Sequence, residues 1–338
     1  MKAIVCEQFG EPKEVISVRD INQPSHPKDN EVTVQVAYAT VSHAIDLLIR
    51  GKYQSDPPLP FTPGTEFVGT VLACGQHVQN LKVGDRVMGV ARWGCYAQKI
   101  NVSHHTVYPL LTNLDWLQAL PLPLSYGTAY TSLFWKADLK PSHSVLVLGA
   151  GSGVGLAAVE LASTTGATVI ACASTKEKRA LAAAHGAKLV LEPNEDLVKK
   201  VKAFVRGGVD VIIDPVGAEL MEQSLSATAQ GAQILSIGFA AGRPPRLPQN
   251  IMLVKNLTLH GFYFGRYIGW TRNDERLSYE PQMRRMMDTL QRLTLDKKIF
   301  PTVSHVYEME TLPQALIDLH SRQVLNKLAI KISGDNHD

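Results

Sequence analysis

Short runs in which apolar and polar residues alternate fill the first third of the chain, among them AIVCEQF, EVTVQVAYATV, FVGTVLACG and DRVMGV. A period of two is that of a strand buried on one face. Clusters of proline and glycine, such as SDPPLPFTPGT and LKVGDRV, break these runs, so residues 1 to about 120 predict a compact β domain. From SVLVLG onward the pattern changes. Continuous apolar runs (SVLVLG, TVIACA, KLVLE, VDVIIDPVG, AQILSIG) alternate with alanine-rich or helix-patterned stretches such as LAAVELASTTGA, KEKRALAAAHGA and DLVKKVKAFVRGG. Strands apolar on both faces with helices between them predict a parallel, doubly wound sheet. Further on, Met283, Met286, Met287, Leu290 and Leu293 recur at helical spacing, which reads as one packed face. The last helical stretch, LPQALIDLHSRQ, leads to KLAIKI, an alternating strand that could return to the β domain.

Composition narrows the class without changing this picture. Hydrophobic residues make up 45% of the 338 positions and charged ones 19%, enough to bury a sizeable core in about two domains. The net charge of +3 is too small to argue for nucleic acid or an anionic membrane surface, and VKKVKAFVRGG reads as the wet face of a helix. Cys6, Cys74, Cys95 and Cys172 show no paired spacing, so neither a disulfide framework nor a zinc knuckle is expected. The N-terminus lacks the apolar run of a signal peptide, and the most apolar later stretch is interrupted by glycines and Glu160. The expectation is a reduced, cytoplasmic protein with no membrane span.

The sharpest local signal is SVLVLGAGSGVGLAAVELA. A buried strand runs into a turn with Gly149, Gly151, Gly153 and Gly155, and a helix follows. That context suits a dinucleotide pyrophosphate, held by backbone N–H groups of Ala150, Gly151, Ser152, Gly153 and Val154 at the helix N-terminus. The second strand, TVIACA, ends without the acidic residue that would bond the ribose hydroxyls of NAD. Ser174, Thr175, Lys176, Lys178 and Arg179 stand there instead and suit a 2′-phosphate, which makes NADPH the expected cofactor. The competing reading leaves Lys178 and Arg179 as solvated helix residues.

With both halves in view, the chain resembles the medium-chain dehydrogenase/reductase superfamily over nearly its whole length. The motifs are PGTEFVGTV, LKVGDRV, LPLSYGTAYTSL, VLVLGAGSGVG and GAKLVLEPNED, in the family's order. Within it the chain looks like the zinc-independent quinone oxidoreductase branch, which includes zeta-crystallin. The resemblance implies an α/β protein in which a Rossmann domain over 123–266 binds NADPH, beside a GroES-like, β-rich catalytic domain made of 1–122 and 267–338. It also implies a homodimer joined along the strand NLTLHGFYF.

Zinc-dependent relatives carry GHE, whose histidine is a ligand, where this chain has Gly64, Thr65 and Glu66. Their cysteine three residues before an aspartate is His43 here, before Asp46, and their remaining cysteine falls at Leu124. A catalytic zinc needs three protein ligands and an open position, so no metal is expected. Without a Lewis acid the substrate must already accept hydride, as a quinone or an α,β-unsaturated carbonyl compound does. The branch usually has asparagine at His43. A histidine there could hold a carbonyl and deliver the proton, or it could pack as a plain polar residue. Tyr53 and Tyr126 are expected to line the substrate site. By resemblance, Thr128, Gly238, Phe239 and Phe264 flank the nicotinamide, although a core role fits each aromatic equally well. Relatives also place a tyrosine near Pro193 that this chain lacks.

Two other functions fit the same scaffold. One is a 2-enoyl thioester reductase, for which Arg266, Arg272 and Arg276 could receive a carrier's phosphates. The other is a non-catalytic NADPH-binding protein with a structural or RNA-binding role.

Overall fold

Alternation in the first third becomes seven strands: β1 (Lys2–Cys6), β2 (Ile16–Asp20), β3 (Glu31–Val41), β4 (Glu66–Cys74), β5 (Arg86–Val90), β6 (Lys99–Ser103) and β7 (Val107–Pro109). The continuous apolar runs become β8 (Ser144–Leu148), β9 (Thr168–Cys172), β10 (Leu189–Leu191), β11 (Val209–Asp214), β12 (Thr228–Ser236) and β13 (Thr258–Gly261). Two more strands, β14 (Val303–Glu308) and β15 (Lys327–Lys331), follow. This computed structural model describes residues 1–55, 57–321 and 324–333, so the last two residues of LPQALIDLHSRQ lie outside the described residues.

The chain divides into two units. The first comprises Met1–Leu124, Gly265–Leu295 and the chain from Pro301 onward; the second comprises Ser125–Phe264 and Asp296–Phe300. The second unit is a Rossmann sheet in the order β10-β9-β8-β11-β12-β13, parallel throughout. Every residue of β8 is buried, as expected where helices cover both faces. The strand order reverses between β8 and β11, and open α/β sheets bind ligands beside such a switch point, at the carboxyl ends of the strands.

The first unit is the GroES-like one. Its main sheet runs β14-β15-β3-β4-β5-β7, with β6 also paired to β3, and β1 and β2 form a separate antiparallel pair. β3 is the organiser. It takes β4 and β6 antiparallel along its length and β15 antiparallel at Tyr38–Val41. Val32, Val34, Val36, Ala39 and Val41 of β3 sit in the buried core with Phe67, Val87, Tyr96 and Ile330. On the helix Arg276–Leu295, Met283, Met286, Met287 and Leu290 are buried. No helix of the described residues is long and apolar enough to cross a membrane.

Candidate functional site

In the second unit, β8 ends at Leu148 and Gly149 turns the chain with φ +62°, a left-handed value that favours glycine. The helix Gly153–Thr164 starts immediately after the turn. Ser152 caps it: its hydroxyl accepts the Gly155 N–H at 3.1 Å and donates to the Gly149 carbonyl at 2.8 Å. A methyl group at Gly155 would fall on that same carbonyl oxygen, so this glycine is fixed by close packing of turn and helix. Ala150 is fully buried, whereas Ser152 is exposed. The first-turn N–H groups of a helix have no intrahelical acceptor, which leaves this end able to receive an anion.

β9 ends beside it, and Thr175 caps the next helix, Lys176–Ala184, by accepting the Lys178 N–H at 3.2 Å. Lys178 lays its aliphatic stem over Gly151; a Cβ there would come within 2.5 Å of Lys178 Cγ. Ser174 is exposed. Arg179, expected to face a 2′-phosphate, is turned to other partners. Its NH1 donates to the Ala173 and Ser174 carbonyls at 3.0 Å, and its NH2 pairs with Glu192 at 2.6 Å. This arginine ties the end of β9 to the segment after β10.

At the end of β11, Asp214 is fully buried. One carboxylate oxygen accepts the Val216 and Gly217 N–H groups at 2.9 and 2.8 Å, while the other has no hydrogen-bond partner among the described residues. Burial pushes its carboxyl pKa up, against the lowering effect of the two N–H groups. Gly238 follows β12, Phe239 is half exposed and Phe264 is buried. Thr128 is buried on the short helix Gly127–Tyr130. Tyr126, expected to line a site, is buried and donates its hydroxyl to Glu160 at 2.6 Å. Glu160 also accepts the Phe300 N–H at 3.0 Å and bonds His185 Nδ1. Sequence reading missed this network, whose members are far apart in the chain.

In the first unit, His43 opens the helix His43–Ile49 and is exposed. Its ring meets His320 edge-on at 5.1 Å, and His320 Nε2 lies 3.0 Å from Asp46, which also pairs with Arg50 at 2.9 Å. Tyr53 is half-buried against the core of this unit. Arg266 pairs with Glu275 at 2.8 Å and Arg276 with Asp274 at 2.8 Å.

The zinc position can be tested on its donor set. Glu66 is completely buried. Its carboxylate accepts the Leu124 N–H at 2.6 Å and the Thr40 hydroxyl at 2.9 Å, and the Lys327 ammonium lies 3.5 Å away. Burial pushes the Glu66 pKa up, and Lys327, Leu124 and Thr40 oppose that. With threonine at 65, leucine at 124 and a carboxylate already engaged by a cation, the residues do not fit a catalytic zinc.

A parallel sheet of this order, with a glycine turn after its first strand, defines a dinucleotide-binding class of oxidoreductase fold. Residues 153–279 match the zinc-binding dehydrogenase family and residues 28–112 the alcohol dehydrogenase GroES-like domain. Quinone oxidoreductase-like protein 2 of Mus musculus is 33% identical over 336 residues, covering 98% of this chain and 92% of the mouse protein. The quinone oxidoreductase of Homo sapiens is 34% identical over 242 residues, 70% of this chain and 73% of the human one. Escherichia coli quinone oxidoreductase, solved in complex with NADPH, superimposes with a TM-score of 0.88 at 25% identity, covering 98% of this chain and all of the other. The chain belongs to the medium-chain dehydrogenase/reductase superfamily, in its quinone oxidoreductase branch.

Proposed function

We propose that the chain is a zinc-independent, NADPH-dependent oxidoreductase that reduces a quinone or an α,β-unsaturated carbonyl compound. The observation that carries the metal-free reading is the donor set at the family's zinc position: Thr65 and Leu124 stand where the resemblance puts a histidine and a cysteine ligand, and the neighbouring Glu66 carboxylate is engaged by Leu124, Thr40 and Lys327. NADPH is supported by the absence of an acid at the very end of β9, by Lys178 against the glycine turn, and by the NADPH complex of the E. coli relative.

In this reading, Ala150, Gly151, Ser152, Gly153 and Val154 hold the pyrophosphate, and Ser174 with Lys178 holds the 2′-phosphate. Arg179 supports the end of β9 from its bonds to Ala173, Ser174 and Glu192. Thr128, Gly238, Phe239 and Phe264 are assigned to the nicotinamide side. Bound there, the nicotinamide supplies the hydride. His43 is assigned as a proton source, with Tyr53 as a lining group. Tyr126 is assigned a positioning role through Glu160. Free cysteines accord with a cytoplasmic setting. The exposed edge of β13, with Leu253, Val254 and Leu259 exposed nearby, supports pairing of two copies, which sedimentation equilibrium would read as a dimer mass.

The deciding experiment follows NADPH oxidation by EDTA-treated protein with a quinone, an enone, a crotonyl thioester and a simple aldehyde, and with NADH in parallel. Turnover of quinone or enone that prefers NADPH and is indifferent to EDTA is the expected result. Aldehyde reduction that appears only after zinc is added would sink the metal-free reading. A rate confined to the thioester would move the assignment to the acyl-chain reductase. The ion pairs already made by Arg266 and Arg276 weigh against that outcome.

A further inference from the structure

The chain lacks a zinc ligand set at the family position, yet it assembles one elsewhere in the first unit. His104 and His105 sit on the short 3₁₀ turn His104–Thr106 between β6 and β7. Glu280 projects from the helix Arg276–Leu295. One donor atom from each of the three residues lies within 4.8 Å of the others. The two imidazole rings are 3.9 Å apart at their centroids, and His105 Nδ1 is 2.6 Å from Glu280 Oε2.

The surroundings hold these groups in place. Arg284 donates to the other Glu280 oxygen, from Nε at 2.8 Å, and to the His104 carbonyl at 3.0 Å, while its guanidinium lies over the Tyr108 ring. Oε2 is therefore the oxygen turned to the histidines. The Asn80 amide meets His104 Nδ1 at 2.8 Å, which leaves Nε2 as the remaining donor of that ring. With its oxygen toward the imidazole, Asn80 accepts the Nδ1 proton and leaves Nε2 open to a metal; with the amide turned over, its N–H donates to Nδ1 and its oxygen accepts from Arg284, so ligation through Nε2 selects the first orientation. A hydrogen-bonded carboxylate and an imidazole bonded through its far nitrogen are the usual supports of metal ligands.

We propose that His104, His105 and Glu280 bind one divalent transition-metal ion of the zinc class. Two imidazoles and a carboxylate make a donor set that zinc accepts, with a fourth position left for water. Ligands about 2.0 Å from a tetrahedral ion lie about 3.3 Å apart, so His105 and Glu280 need to separate by less than about 1 Å. The contact between Nδ1 and Oε2 stands in the place of the ion. Arg284 lowers the affinity by its charge and preserves the carboxylate's orientation by its bonds. Bound, the ion would clamp the turn between β6 and β7 to the first turns of the helix that carries Glu280.

The test is calorimetric titration of Zn²⁺ into untagged, EDTA-stripped full-length protein, repeated with Co²⁺ to read the ligand field by visible absorption. One ion per chain is expected, with a four-coordinate cobalt spectrum. His105→Ala and Glu280→Gln should each weaken binding by at least about 10-fold, the lower end for loss of even a supporting partner. Melting of each variant without metal checks that it folds, and Glu280→Gln keeps an acceptor for Arg284. The proposal is overturned if no ion binds. It is equally overturned if binding is unchanged in the folded Glu280→Gln variant, or persists in these variants and disappears in His43→Ala. None of the readouts uses NADPH, so failure here leaves the proposed oxidoreductase function standing, and the converse holds.

Discussion

Two neighbouring cations after β9 look alike in the sequence and are placed in different roles by the fold. Lys178 lies along Gly151, and Arg179 pairs with Glu192, 13 residues further on. Sequence reading could see the charges and the missing acid, because both are local. It could not see Glu192 as a partner, since that contact depends on β10 lying beside β9. Lys178→Ala should therefore raise KM for NADPH by about 10-fold or more, the scale of a lost charge-assisted contact, and leave KM for NADH nearly unchanged. Steady-state kinetics with both cofactors checks this; equal rises for the two would remove Lys178 from the 2′-phosphate. The same reasoning explains Tyr126. A tyrosine in a family motif is visible in the sequence, whereas its bond to Glu160 is set by packing.

At the level of strands and helices, most of the architecture was legible, because periods of two and continuous apolar runs are direct consequences of one-sided and two-sided burial. KLAIKI illustrates this: as β15 it lies antiparallel beside β3. What alternation cannot encode is which residue on one strand meets which on another. Glu66 on β4 and Lys327 on β15 are such a pair, joined across β3 in a buried setting. Lys327→Met should destabilise the protein by about 3–5 kcal/mol, because it leaves Glu66 buried without its cation. Adding Glu66→Gln should recover most of that loss, as read by urea unfolding of the two single variants and the double. If the double variant is no more stable than Lys327→Met alone, the carboxylate does not depend on Lys327.

Across the whole molecule, the scattered cysteines report burial rather than chemistry. Cys6, Cys95 and Cys172 are buried and Cys74 is half-buried. Burial pushes Cys6 up from the ordinary 9.0 to about 11 and Cys172 up to about 12. The folded state thus keeps protons that the unfolded chain releases. The stability these thiols contribute is intact below pH 9.0 and falls as pH rises toward 11, by at most about 1.4 kcal/mol per pH unit for each thiol. Chemical unfolding at a series of pH values checks the slope, and a flat profile above pH 9 would contradict it. The division into units has a consequence of a different kind. The chain passes between the two units four times, and β15, the partner of β3 at Tyr38–Val41, follows the whole of the second unit. A ribosome delivers β3 early and its neighbour almost three hundred residues later. The second unit's sheet can close while synthesis is still under way, but the edge of β3 waits exposed until β15 emerges. The unit that begins first is completed only after the second, and the nascent chain is open to mispairing along that edge.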